Sequence, residues 1–114
     1  MLDMHLDKHG SCSVLSAIKT ISKLKLKANV TASFGFVENS ISNNAFRPSD
    51  VIKSRNGLTV EIGNTDAEGR LTLADVMTWT LDRFKPKTMI ELSTLTGAVV
   101  ISLGHSAAGL WTNN

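Results

Sequence analysis

Val14, Ala17, Ile18, Ile21 and Leu24 recur at three- and four-residue steps, the spacing of one helix face, and predict a helix over 12–24. Leu71, Ala74, Met77, Leu81 and Phe84 repeat the pattern over 70–84, where Pro86 stops it. Between these helices the period shortens. Asn29 to Val37 is rich in Val, Thr and Phe and reads as a strand, followed by a polar loop over 38–50. Two short strands, about 51–53 and 58–62, flank Asn56-Gly57, a strong hairpin-turn pair. Thr88 to Leu92 reads as a buried-type strand, Ala98 to Leu103 as a short helix, and Leu110 lies near another strand. Helices alternating with strands predict an α/β fold, and the hairpin adds an antiparallel element, so the expected sheet is mixed and flanked by helices.

Composition narrows this picture. With 114 residues, the chain has room for one small domain at most. Its 42% hydrophobic and 19% charged residues exclude a disordered chain. A net charge of +2 is too small to argue for nucleic acid or an acidic membrane surface. The one basic cluster, Lys19, Lys23, Lys25 and Lys27, falls at a predicted helix end, where cations complement the macrodipole. A single cysteine, Cys12, excludes an internal disulfide and a cysteine-type metal cluster, and fits a reducing compartment. The first twenty residues carry Asp3, His5, Asp7 and Lys8 among the apolar positions and do not form a signal-peptide core. No apolar run approaches a membrane span.

The candidate chemistry concentrates in Asn64-Thr65-Asp66-Ala67-Glu68-Gly69-Arg70, between a predicted strand and a predicted helix, where α/β proteins place their sites. If this stretch is extended, Asp66, Glu68 and Arg70 point the same way, and two carboxylates so close invite a divalent cation. The competing local reading is an ordinary acidic helix N-terminus. Asp7, ahead of His9-Gly10 and a helix, is a third carboxylate for the same site or a helix-entry residue. Ser93 to Gly97 follows the buried strand and suits close approach of a ligand to the backbone, or a plain strand-to-helix turn. His5, His9 and His105 lack ligand spacing, and Asp75 sits mid-helix as a structural or ligand-orienting carboxylate. Neither a nucleophilic-serine elbow nor a phosphate-binding glycine loop is present.

The run NTDAEGRL, Asn64 to Leu71, resembles the signature of the leucyl (cytosol) aminopeptidases, peptidase family M17. Glu38-Asn39 with Asn44 to Val51, Thr94 to Ala98, and Met4 to Ile18 resemble further segments of that family, so the likeness covers almost the whole chain. The resemblance implies that residues 1–114 are part of an M17 catalytic domain, a cytoplasmic metalloaminopeptidase that releases N-terminal residues from peptides with a free N-terminus. It implies two divalent metal ions, manganese or zinc, with Asp7 a ligand of the tighter one, Asp66 of the other, and Glu68 bridging both. Arg70 would be the catalytic arginine, holding a bicarbonate ion as general base. Met4, Thr94 and Gly97 would line the pocket for the substrate's first side chain, and the Leu95 carbonyl would accept a hydrogen bond from its amino group. A homo-hexamer is the implied assembly, with neither nucleic acid nor membrane as partner.

The chain also departs from the family. An upstream block with a ligand lysine, a bridging aspartate and a catalytic lysine would precede Met1, and a substrate-side part would follow Asn114. Without that block the first metal keeps Asp66 and Glu68 and the second keeps Asp7 and Glu68. His9 stands where a small residue is usual, Ile41 replaces a proline, and the stretch from Arg70 to Pro86 is one residue longer. Two expectations follow: a piece of an M17 aminopeptidase, or a short non-catalytic remnant that joins an M17-type hexamer.

Overall fold

The first helix, α1, spans His9–Lys23 in the computed structural model, which describes residues 3–113 and leaves Met1, Leu2 and Asn114 outside the description. It starts three residues before the predicted 12, because His9, Gly10 and Ser11 extend the helix without adding to its apolar repeat. Ser11, Val14, Ile18 and Ile21 form its half-buried stripe; Ala17 and Leu24 are exposed. Its end is a Schellman motif, with Lys25 left-handed at φ 50°, Leu26 N–H donating to the Ile21 carbonyl at 3.2 Å, and Lys25 N–H to that of Ser22 at 3.1 Å.

The hairpin forms where Asn56-Gly57 predicts it. Strand β1 (Val51–Lys53) pairs antiparallel with β2 (Thr59–Glu61), matching Ile52 to Val60. Gly57 takes φ 90°, a conformation that a side chain resists, and donates to the Ser54 carbonyl at 2.9 Å. Ile62, just past β2, is the one fully buried apolar side chain among the described residues. Its backbone exchanges hydrogen bonds with Ser49 and Asp50 at 2.7 and 2.8 Å, which fixes the approach to the following turn.

Helix α2 (Glu68–Phe84) begins two residues before the predicted 70 and stops as predicted ahead of Pro86, through Lys85 in a left-handed cap. Of its predicted core face, Leu71 and Met77 are half-buried, whereas Ala74 is exposed and Leu81 and Phe84 remain nearly half-exposed. The hairpin turn is tied to α2 by Arg55, whose backbone N–H donates to Asp75 at 3.0 Å and whose guanidinium pairs with Asp82 at 2.6 Å. Asp75 is therefore structural here. Helix α3 (Ala98–Leu103) has the predicted bounds.

The class is α/β, helices with a small antiparallel sheet, but the predicted mixed sheet is not assembled among the described residues: β1 and β2 are its only strands. Residues 29–37 and 88–92 carry strand-like sequence yet make no ladder, because a strand needs a main-chain partner and none of the described segments supplies one. The region around 110 is likewise not a strand. Residues 33–36 instead cross α2 in the opposite direction. The Thr80 hydroxyl meets the Ser33 hydroxyl at 2.9 Å, and a Cβ on Gly35 would lie 2.6 Å from Thr72 Cγ2 and 3.0 Å from Val76 Cγ2. Thr72, Val76 and Thr80 share one helix face.

The molecule is open. Its accessible surface is 10050 Å², against about 6,100 Å² expected for a free-standing folded chain of this mass. Its radius of gyration is 16.2 Å, against about 13 Å for a self-contained domain of this length.

Candidate functional site

Asn64 is extended (φ −150°, ψ 120°), and its side-chain Oδ1 accepts the Asp66 N–H at 2.9 Å. The Ala67 N–H closes on the Asn64 carbonyl at 3.3 Å, and Thr65–Ala67 form a 3-10 turn that runs into α2 at Glu68. This is the Asx geometry that short amide side chains provide at helix starts. It corrects one expectation. Asp66, Glu68 and Arg70 do not lie on an extended segment, so residues two apart do not share a direction: in a helix they project roughly 200° apart. Glu68, in the first turn of α2, sits where the helix dipole favours a carboxylate.

Three segments nevertheless meet. A Cβ on Gly10, three residues after Asp7, would overlap the Leu92 carbonyl and lie 2.5 Å from Ser93 Cα. Gly69, between Glu68 and Arg70, lies against the Leu95 side chain, with 3.4 Å from its would-be Cβ to Leu95 Cδ1. The entry to α1 and the entry to α2 thus share residues 92–95 as a common seat. Met4 belongs to a 3-10 turn over Met4–Leu6, and Asp7 is the residue that closes it. Thr94, Leu95 and Gly97 lead into α3. Asp7, Asp66, Glu68 and Arg70 are all exposed, as are Met4, Thr94, Leu95 and Gly97.

Oxygen anions such as Asp7, Asp66 and Glu68 suit a hard divalent cation. Among the described residues, however, no group of three or more His, Cys, Asp or Glu side chains is close enough to hold a metal ion. The expected convergence of Asp7, Asp66 and Glu68 within bridging reach is not formed among the described residues, although their carboxylate chemistry suits such an ion. Charges this exposed are screened by water, so the two-apart carboxylates of the motif need no cation to coexist. His5, His9 and His105 are exposed.

Two open clefts lie elsewhere. One, of about 500 Å³, is lined by Phe34, Arg55, Asp75 and Trp79 among others; the second, of about 490 Å³, follows the 43–52 loop. Beside the second cleft the Arg47 backbone N–H donates to Asp50 at 2.8 Å and its guanidinium lies at 3.4 Å, and these hydrogen bonds hold the Asp50 carboxyl below its ordinary value. The structural roles of Asn64 and Gly10 were not read from sequence. An Asn two residues before the first acidic residue of a helix start is the signal for the first, and a glycine just inside a helix is the signal for the second.

The α/β fold with this strand–turn–helix motif defines a peptidase class when compared with known proteins. Residues 1–114 match the family described as the cytosol aminopeptidase family, catalytic domain. The chain is 50% identical over its whole length to a probable cytosol aminopeptidase of Caulobacter vibrioides and 45% identical to one of Fusobacterium nucleatum, covering 23% and 24% of those proteins. A solved structure of a tomato leucine aminopeptidase mutant superposes on 83% of the chain and 19% of its own, with TM-score 0.72 and 39% identity. The chain belongs to the cytosol aminopeptidase family and spans about a quarter of the length of the curated relatives it matches. No helix among the described residues is long and apolar enough to cross a membrane.

Proposed function

We propose that these residues form part of the active-site region of a cytoplasmic aminopeptidase that releases N-terminal amino acids, with leucine-type preference, from peptides by two-metal hydrolysis. The observation that carries this reading is the common seat: residues 92–95 hold the start of α1 beside the start of α2, so the segments bearing Asp7, Glu68 and Arg70 enter one region. Asp7, Asp66 and Glu68 would be cation ligands for manganese or zinc, Glu68 shared by both ions, with the set completed by side chains outside these 114 residues. Arg70 would clamp a planar anion such as bicarbonate bidentately. Met4, Thr94 and Gly97 would border the substrate's first side chain, and the Leu95 carbonyl would accept from its amino group. The full protein would assemble as a homo-hexamer.

The test exchanges the matching 114 residues of the Caulobacter relative for this chain and measures leucine release from an N-terminal leucyl peptide with manganese present. Activity that falls at least a hundredfold in Arg70→Ala, with folding intact, is the expected result. A folded, metal-loaded chimera without activity would overturn the reading. It would favour the alternative of a non-catalytic remnant within an M17-type hexamer, for which the dispersed carboxylates speak.

A further inference from the structure

Asparagine followed by glycine occurs once in the chain, at Asn56-Gly57 in the hairpin turn. Loop 55–57 joins β1 to β2 and is closed by the Ser54 N–H on the Leu58 carbonyl at 2.8 Å and the Gly57 N–H on the Ser54 carbonyl at 2.9 Å. Inside this loop, Asn56 Oδ1 accepts the Leu58 N–H at 3.3 Å. That bond is an Asx turn, which folds the side-chain amide back over the Gly57 peptide. The Ser54 hydroxyl donates to the same Oδ1 at 2.6 Å; its other acceptor, the Leu58 carbonyl, is further away at 2.9 Å and already takes the Ser54 N–H. Two donors on one carbonyl oxygen stabilise the negative charge it gains when its carbon is attacked. The nearest nucleophile is the Gly57 nitrogen. Asn56 and Gly57 are both exposed, and a Cβ on Gly57 would meet only Lys53 Cε, at 4.0 Å. Asn64 is the internal comparison. Its Oδ1 accepts the Asp66 N–H at 2.9 Å in the same way, but the residue that follows is Thr65, whose branched Cβ crowds the peptide nitrogen.

We infer that Asn56 is a self-modification site, at which the turn converts a side-chain amide into a carboxylate. The Gly57 nitrogen gives its proton to solvent base and attacks Asn56 Cγ. A new C–N bond forms, the bond to the side-chain nitrogen breaks, and that nitrogen takes a proton from solvent and leaves as ammonia. One water then opens the five-membered imide at either carbonyl and leaves aspartate or isoaspartate. The hydrogen bond from Gly57 N–H to the Ser54 carbonyl opposes the attack, so the step runs when that bond opens. Isoaspartate routes the main chain through Cβ and lengthens loop 55–57 by one atom. Arg55, in the same loop, ties the hairpin to α2 through Asp75 at 3.0 Å and Asp82 at 2.6 Å. Modification at Asn56 therefore releases the hairpin from α2.

Ageing the Caulobacter chimera at mildly alkaline pH, followed by peptide mapping with mass spectrometry, tests this. Asn56 converts about tenfold or more faster than Asn64. Ser54→Ala slows conversion about fivefold, the weight of one exposed hydrogen bond, and Ser54→Thr, which keeps the hydroxyl, retains the rate. In urea the alanine substitution makes no difference, because the turn is gone. Protection of the Arg55 amide falls as isoaspartate accumulates. None of these readouts uses peptidase activity. Equal rates in the unsubstituted and Ser54→Ala chimeras, with the Ser54 amide still protected, would overturn the inference, as would conversion of Asn64 while Asn56 stays intact. Should alanine unfold the turn, Ser54→Thr against Ser54→Val isolates the hydroxyl in side chains of one shape, and equal rates in that pair overturn it as well.

Discussion

The side chain of Asn64 accepts the backbone N–H of Asp66 at 2.9 Å, so the first acidic residue of the motif is held in place by a neighbour that carries no charge. Removing this cap leaves a helix-start N–H without its protein partner. Asn64→Ala is expected to cost about 1 kcal/mol, and Asn64→Ser to retain most of it, because serine caps almost as well. Amide exchange at Asp66 and the unfolding midpoint in the Caulobacter chimera check this. An unchanged midpoint in Asn64→Ala would show that the side-chain bond contributes nothing.

Gly10 and Gly69 face the same segment with different clearances. At Gly10 a Cβ would overlap main-chain atoms of Leu92 and Ser93, which cannot swing aside; at Gly69 it would touch only the mobile end of Leu95 at 3.4 Å. Gly10→Ala is therefore expected to destabilise by about 1–3 kcal/mol, the usual cost of overpacking. Gly69→Ala is expected to change stability by less than about 1 kcal/mol, as alanine suits a helix better than glycine. The paired denaturation midpoints in the chimera decide it, and a reversal of their order would mean that α1 does not dock on residues 92–95.

Local chemistry was legible in the sequence where partners lie within a few residues. The hairpin at Asn56-Gly57, the stop of α2 before Pro86 and the bounds of α3 depend on turn preferences and helical spacing alone. What depends on distant chain was not formed. Residues 29–37 and 88–92 have strand composition, but strand pairing is non-local and the described residues contain no partner for them. The motif carried two readings, an extended segment and an acidic helix start, and the structure forms the second, with Glu68 in the first turn of α2. Alternating charges suggested an extended segment, yet the Asn64 side chain folds that stretch into a 3-10 turn and turns residue 68 away from 66 and 70. Gly10 had a signal, a glycine inside a helix, but which backbone it meets is tertiary information.

Lys25 and Lys85 terminate α1 and α2 in left-handed conformations, at φ 50° and 46°. For a residue with a Cβ this region costs roughly 1–2 kcal/mol, and glycine avoids most of it. Part of that gain is offset by glycine's larger entropy in the unfolded chain. Lys25→Gly and Lys85→Gly are each expected to stabilise by about 0.5–1 kcal/mol, and additively, since they cap different helices. A lowered unfolding midpoint for either single variant would show that the lysine side chain makes a compensating contribution.

The Asp50 carboxylate accepts from the Arg47 backbone N–H at 2.8 Å and faces the Arg47 guanidinium at 3.4 Å, which lowers its pKa below the ordinary 3.8. The sign follows from linkage: the folded state holds the proton less tightly than the unfolded one, so the stabilisation is fully present above 3.8 and is lost as pH falls through the folded value. The Asp50 side chain is half-buried yet open to solvent on one side, so the effect is local and falls with added salt. The same turn carries Ser49, whose N–H donates to the Ile62 carbonyl, and Asp50, whose carbonyl accepts from Ile62. Acid is therefore expected to loosen the edge of β1 before it affects α1 or α2. Proton-detected titration of the Asp50 carboxyl and the Arg47 amide, below pH 5, reads this directly. Both signals should move together, with a midpoint below 3.8 that rises toward it in Arg47→Ala. A midpoint unchanged by that substitution would assign the lowered value to the backbone N–H alone, and one at or above 3.8 in the unsubstituted chain would refute the linkage.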